Sequence, residues 1–246
     1  DDLHLTFRNT GRIRDRCKRI SREWIHEGDM FARVATGPSS IAVDPTDDRR
    51  ILDDSIKKIA GNGLKPSDII QGPEGAEGPS EVRYRAHVAF STATDMLQQM
   101  ARIPSRRKAV VWVSNGLDFD PFAKSRLGED PVFGGRFGQT REEGQEQRDT
   151  FNKSQVFADA DLARELGDLT RTANRANATI YTIDPRGLVA GSDLDEQIDP
   201  VEYAEHVRKT QDSLRVLAEE TGGIAVVNQN DFSKGLKRID NETSDY

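Results

Sequence analysis

Three short runs constrain the fold more than anything else in the chain: AVVWV at 109–113, TIYTI at 179–183 and IAVV at 224–227. Each is apolar at consecutive rather than alternating positions. A strand with one wet face alternates, whereas a strand covered on both faces does not, and double coverage is the condition of a parallel sheet flanked by helices. The segments between these runs must then supply the helices.

Apolar residues recur there with a helical period. Ile13, Cys17, Ile20 and Trp24 form one stripe, and Leu52, Ile56 and Ile59 a second. Val82, Ala86, Ala89, Ala93, Met96 and Met100 form a third, which Pro104 ends. Leu162, Leu166, Leu169 and Ala173 make a fourth; Val207, Leu214, Leu217 and Thr221 make a fifth, stopped by Gly222-Gly223. Strands alternating with helices predict a doubly wound α/β fold with a mostly parallel sheet. One pair departs from this pattern. MFARVAT (30–36) and SIAV (40–43) are joined only by GPS, too short for a parallel crossover, so they are expected to pair antiparallel at an edge of the sheet.

Neither repeat nor linker divides the chain, so residues 1–246 read as a single domain. Outside the core lie QGPEGAEGPS (71–80), the acidic DPRGLVAGSDLDEQIDP (184–200), and a long polar insertion at about 118–153. Loops of that last length are functional or disordered. The formal charge of −7 argues against a nucleic-acid partner, and no apolar run is long enough to span a bilayer. The single cysteine, Cys17, excludes an internal disulfide and a thiolate cage, and its place in a core stripe predicts burial. His26, His87 and His206 fall on separate helices without paired spacing and read as surface residues.

Ligands of open α/β sheets bind beyond the carboxyl ends of the strands. DDLHLT at 1–6, SNGLDFD at 114–120 and DPRG at 184–187 fall at such ends, which brings Asp2, Asn115, Asp118 and Asp184 toward one rim. Hard oxygen ligands from several loops suit magnesium, manganese or calcium. The same residue types after a strand also simply make turns. No GxSxG elbow, phosphate-binding lysine loop or dinucleotide-binding glycine motif occurs.

DDLHLTF, EGDMFARVATGPSS, RRKAVVWVSNGLD, RANATIYTIDPRGL, LAEETGGIAVVNQNDF and the closing SDY together resemble a von Willebrand factor A domain, in its acidobacterial VWFA-related branch. The resemblance implies a Rossmann-like fold whose first strand, preceding Asp1, is cropped, leaving the domain incomplete at both ends. It also implies a metal-ion-dependent adhesion site with a DxSxS first loop, a threonine in the second loop and an aspartate in the third. Laid on this chain, Asp2, His4 and Thr6 take the DxSxS positions, and Asn115 takes that of the third-loop aspartate, with Asp118 as a substitute if the loop bends back. Ser67 is the candidate for the second loop. His4 and Asn115 depart from the pattern: an imidazole is softer than a hydroxyl, and an amide is a weaker ligand than a carboxylate.

The function expected from this resemblance is a non-enzymatic, extracytoplasmic, protein-binding domain of the adhesion type with a degenerate site for magnesium or manganese. Its partner is another protein, held through the metal-site rim. A metal-dependent hydrolase using the same rim, and a structural domain without metal, are the alternatives.

Overall fold

The computed structural model describes residues 1–37, 43–70, 80–104, 107–119, 121, 143–189, 191 and 197–244. Two 3-10 turns, Asp2–His4 and Phe7–Asn9, lead into α1 (Thr10–Glu23). The hairpin strands β1 (Phe31–Arg33) and β2 (Val43–Thr46) follow, then α2 (Arg49–Lys57), the short α3 (Pro66–Ile70) and α4 (Ser80–Ala101). The remainder alternates: β3 (Lys108–Val113), α5 (Glu143–Arg175), β4 (Ala178–Ile183), α6 (Pro200–Glu219), β5 (Ala225–Val226) and α7 (Phe232–Ser244).

β3, β4 and β5 form a parallel sheet in that order, with β3 and β4 in register from Lys108 opposite Ala178 to Val113 opposite Ile183. Period-2 alternation sends their side chains to two cores. On one face Val110, Trp112, Ala178 and Ile180 pack with Ala89, Phe90 and Leu97 of α4, Leu166 and Leu169 of α5, and Leu214 and Leu217 of α6. On the other, Tyr181, Ile183 and Val226 pack with Phe232, Leu236 and Ile239 of α7, joined by Ile20 and Trp24 of α1. Helices therefore cover both faces, which is why the strands are apolar throughout. The Arg16 guanidinium carbon lies 3.3 Å from the Phe232 ring centroid and ties α1 to α7.

Three details differ from the sequence expectations. The hairpin is antiparallel as expected, but among the described residues it is a separate two-stranded sheet rather than an edge of the parallel one. Its second strand is Val43–Thr46, later than SIAV; residues 40–42 lie outside the described residues. Pro45 inside this strand is tolerated because edge positions can spare a backbone donor. Second, residues 143–153 of the supposed polar insertion are the first turns of α5. Glu, Gln, Arg and Lys are good helix formers, and a packed helix propagates into such a stretch without an apolar stripe. Positions 120 and 122–142 of that insertion are outside the described residues. Third, α3 and α7 stand where no helix was expected. No helix among the described residues is long and apolar enough to cross a membrane.

Candidate functional site: a cationic cleft at the carboxyl ends of the strands

The DDLH segment lies beside the carboxyl end of β3. The Asp1 nitrogen donates to the Val113 carbonyl at 3.0 Å, and the Asn115 amide donates to the His4 carbonyl at 3.1 Å. Two more bonds fasten its other side: the Asn62 and Gly63 amides donate to the Asp2 and Leu5 carbonyls, each at 2.8 Å. The residue sets 1–6 and 114–118, far apart in sequence, thus become neighbours.

Both leading carboxylates turn into the protein. Asp2 is 3% exposed, and its Oδ1 accepts from the Gly37 amide at 2.8 Å, with the Thr36 hydroxyl 3.4 Å away. The Thr36 hydroxyl lies closer to Asp1 Oδ1, at 2.7 Å, and donates there. Asp1 also accepts from Ser114 Oγ at 2.8 Å and from His4 Nδ1, 3.0 Å from both carboxylate oxygens. The Thr6 hydroxyl accepts from Asn9 Nδ2 at 2.9 Å. These oxygens are therefore engaged by protein donors.

Because a carboxylate has no proton to offer, His4 Nδ1 carries the hydrogen of that contact and Nε2 is left as an acceptor. Nε2 is buried and, among the described residues, without a hydrogen-bond partner, as is Asn115 Oδ1. Burial pushes the His4 imidazole down to about 3, helped by the Asp1 ammonium and the Arg85 guanidinium, and this outweighs the pull of the Asp1 carboxylate toward the charged form.

That neutral imidazole predicts a pH dependence. An unfolded histidine titrates near 6.5, so below that value the unfolded chain takes up a proton that the folded one refuses until about 3. The His4 contribution is intact above 6.5 and is lost as pH falls from there toward 3. One proton corresponds to at most about 1.4 kcal/mol per pH unit. Comparing urea midpoints of wild type and His4→Gln at neutral and mildly acidic pH isolates the imidazole: the variant's pH slope should be shallower. Parallel slopes would show that His4 titrates in the folded state as it does unfolded.

At the third strand end, Asp184 and Arg186 form a buried pair. Asp184 is 0% exposed, and its amide donates to the Val226 carbonyl. Arg186 Nε lies 2.9 and 3.1 Å from the two Asp184 oxygens, and Nη2 lies 2.9 Å from Oδ2. Nη2 also donates to the Asn115 carbonyl at 2.6 Å and to Thr210 Oγ1 at 3.0 Å. One guanidinium thereby joins the loop after β3, the loop after β4, and α6.

A cleft of about 650 Å³ opens above this junction. His4, Thr6, Asn115 and Asp118 line it, as does Ser67, whereas Asp2 does not. Asp184 lies beneath, consumed by Arg186. Five cationic side chains line the cleft: Arg8, Arg12, Lys65, Arg85 and Arg186. Among the described residues Asp118 is the one carboxylate facing them. His206, read from sequence as a surface residue, is buried, with Nδ1 3.4 Å from Asp118 Oδ2. Spacing in the sequence marks none of the four other cations, and the strand-end argument points to Asp184 rather than to Arg186. Its signal was the Asp-x-Arg step, which lets a side chain fold back on a neighbouring carboxylate.

Compared with known proteins, the chain matches no family model, and no curated protein or solved structure is significantly similar to it.

The arrangement can be tested against a divalent ion. Among the described residues no group of three or more His, Cys, Asp or Glu side chains converges as a ligand set. Asp2 points away, and the cleft's positive lining would repel a cation. These donors do not fit magnesium or manganese as they stand. The Cys17 thiol is partly buried beside Ile13 and Ile56, and burial raises its pKa, in keeping with a packing role.

Proposed function

We propose that this chain is a non-enzymatic, protein-binding domain of the von Willebrand A kind, extracytoplasmic, which engages its partner through the cleft at the carboxyl ends of β3 and β4. One observation carries the reading: loops from separate strands converge on a concave surface whose rim exposes large apolar side chains. Phe7 is 75% exposed and Leu188 59%, and both line the cleft. Exposed aromatic and aliphatic anchors around a polar depression are the makings of a protein contact.

The grouping of Ser114, Asp1 and His4 favours binding over hydrolysis. Ser114 Oγ donates to Asp1, and Asp1 accepts from His4, so the carboxylate sits between hydroxyl and imidazole. A nucleophile needs the imidazole next to the hydroxyl.

A random peptide library displayed on phage and selected on the wild-type protein tests the proposal, with counter-screening on Leu188→Ser. Binders should emerge that lose affinity for the variant. A parallel titration with magnesium, manganese and zinc against phosphoester and peptide substrates should show no turnover. Metal-dependent turnover abolished by Asp2→Ala, or a failure to obtain any binder sensitive to Leu188→Ser, would overturn it.

A further inference from the structure

The charge of the cleft is opposite to that of the chain. The whole sequence carries −7, yet the cleft presents five cationic side chains to one carboxylate among the described residues. Concentrating the minority charge in this depression is not what a uniformly solvated surface would give, and walls of low dielectric strengthen the field inside.

The cations differ in how they are held. Arg186 is mostly spent on Asp184, but its Nη1 makes no hydrogen bond among the described residues. Arg85 is fixed by the Leu3 and Asn62 carbonyls and by Glu81. Arg12 is exposed and donates through Nη1 to the Arg186 carbonyl, a neutral acceptor that leaves its charge uncompensated. Lys65 is exposed, and its ammonium has no partner among the described residues. Beside these charges stand Phe7 and Leu188, which no water-solubility argument requires.

We infer that the cleft takes an acidic peptide segment of a partner protein, its carboxylates held directly by Arg12, Lys65 and Arg186 without a bridging cation, and its flanking apolar side chains seated on Phe7 and Leu188. Guanidinium and ammonium groups meet carboxylates by charge-assisted hydrogen bonds, and the apolar rim excludes water from them. The inference rests on the protein-binding reading and narrows it to one chemistry.

The test uses fluorescence anisotropy with a labelled peptide alternating glutamate and leucine, a lysine–leucine counterpart, and the whole protein, with and without EDTA. The acidic peptide should bind and the basic one should not. EDTA should change nothing, and raising salt should weaken binding. Lys65→Glu and Arg12→Glu, both at exposed positions and each checked for an unchanged melting temperature, should each weaken the acidic peptide about tenfold, the equivalent of about 1.4 kcal/mol. Absence of binding, loss of binding on chelation, or indifference to both charge reversals would overturn the inference. The phage selection separates the two proposals. Binders that depend on Leu188 but carry no acidic residues would sink this inference alone, whereas a selection yielding no cleft-dependent binder would sink both.

Discussion

Arg186→Met is expected to lower the free energy of unfolding by about 3–5 kcal/mol, the usual cost of removing one partner from a buried ion pair. The loss does not measure the worth of the pair. It arises because Asp184, which is 0% exposed, would keep a charge with no guanidinium to meet it. Its amide is tied into the sheet at Val226, so the residue cannot swing out to water without disrupting the end of β4. The Asn115 carbonyl and Thr210 hydroxyl also lose a donor. Adding Asp184→Asn to the same chain removes the orphaned charge and should recover part of the loss, so the double variant should be more stable than Arg186→Met alone. Urea denaturation of the single and double variants decides it. A loss below about 1 kcal/mol for Arg186→Met would mean that solvent reaches the pair and that it behaves as a surface one.

The layered fold was legible because burial on both faces leaves a mark in sequence. Ala178–Ile183 is buried at every position, and its six residues read as apolar or threonine throughout. Helices α4 and α6 announced themselves by stripes that the structure finds against the sheet, and the α1 stripe is shared between the α7 side of the sheet and a further cluster with Leu52 and Ile56 of α2. The failures have equally local causes. α7 carries Phe232, Leu236 and Ile239 at helical spacing, with the Asp231 carboxylate accepting from the Ser233 amide at its start. That stripe is present in the sequence, but it lies between IAVV and the closing SDY, where no helix is expected. Residues 143–153 have no stripe at all, so only propensity could have marked them as helical. The hairpin's register depended on a turn whose sequence, GPS, fixes direction but not which residues pair.

The site was half legible for a different reason. That DDLHLT and SNGLD would meet follows from strand-end convergence, and the His4–Asn115 backbone bond is that meeting. Which way Asp1 and Asp2 point does not follow, because it depends on Thr36 and Gly37, which belong to the loop after β1 and carry no sequence sign of being donors to this segment. Turning both carboxylates inward removes negative charge from the cleft, and the arginines and lysine left there set its sign. A motif read along the chain counts carboxylates; the electrostatics of the surface counts only those that face it.

Gly116→Ala tests the tightest joint of that surface, and the expected result is a loss of about 2–5 kcal/mol, the sum of two separable costs. Gly116 has φ +90, where an L-residue with a Cβ is strained by about 1–2 kcal/mol. The added Cβ would also fall within the contact radius of the Thr210 carbonyl oxygen and lie 3.0 Å from Thr210 Cα. Those are backbone atoms of α6, so no side chain can rotate away, and overpacking of this kind costs about 1–3 kcal/mol. Gly222→Ala is the control. It too has positive φ, +73, but a Cβ there meets nothing within 4 Å, so it should cost the strain alone. The gap between the two variants in thermal or urea unfolding therefore measures how closely the loop after β3 is pressed against α6. Equal losses would show that the loop can lift away, and Leu117, held by the Ser213 hydroxyl at 2.9 Å, is the residue that would have to let go.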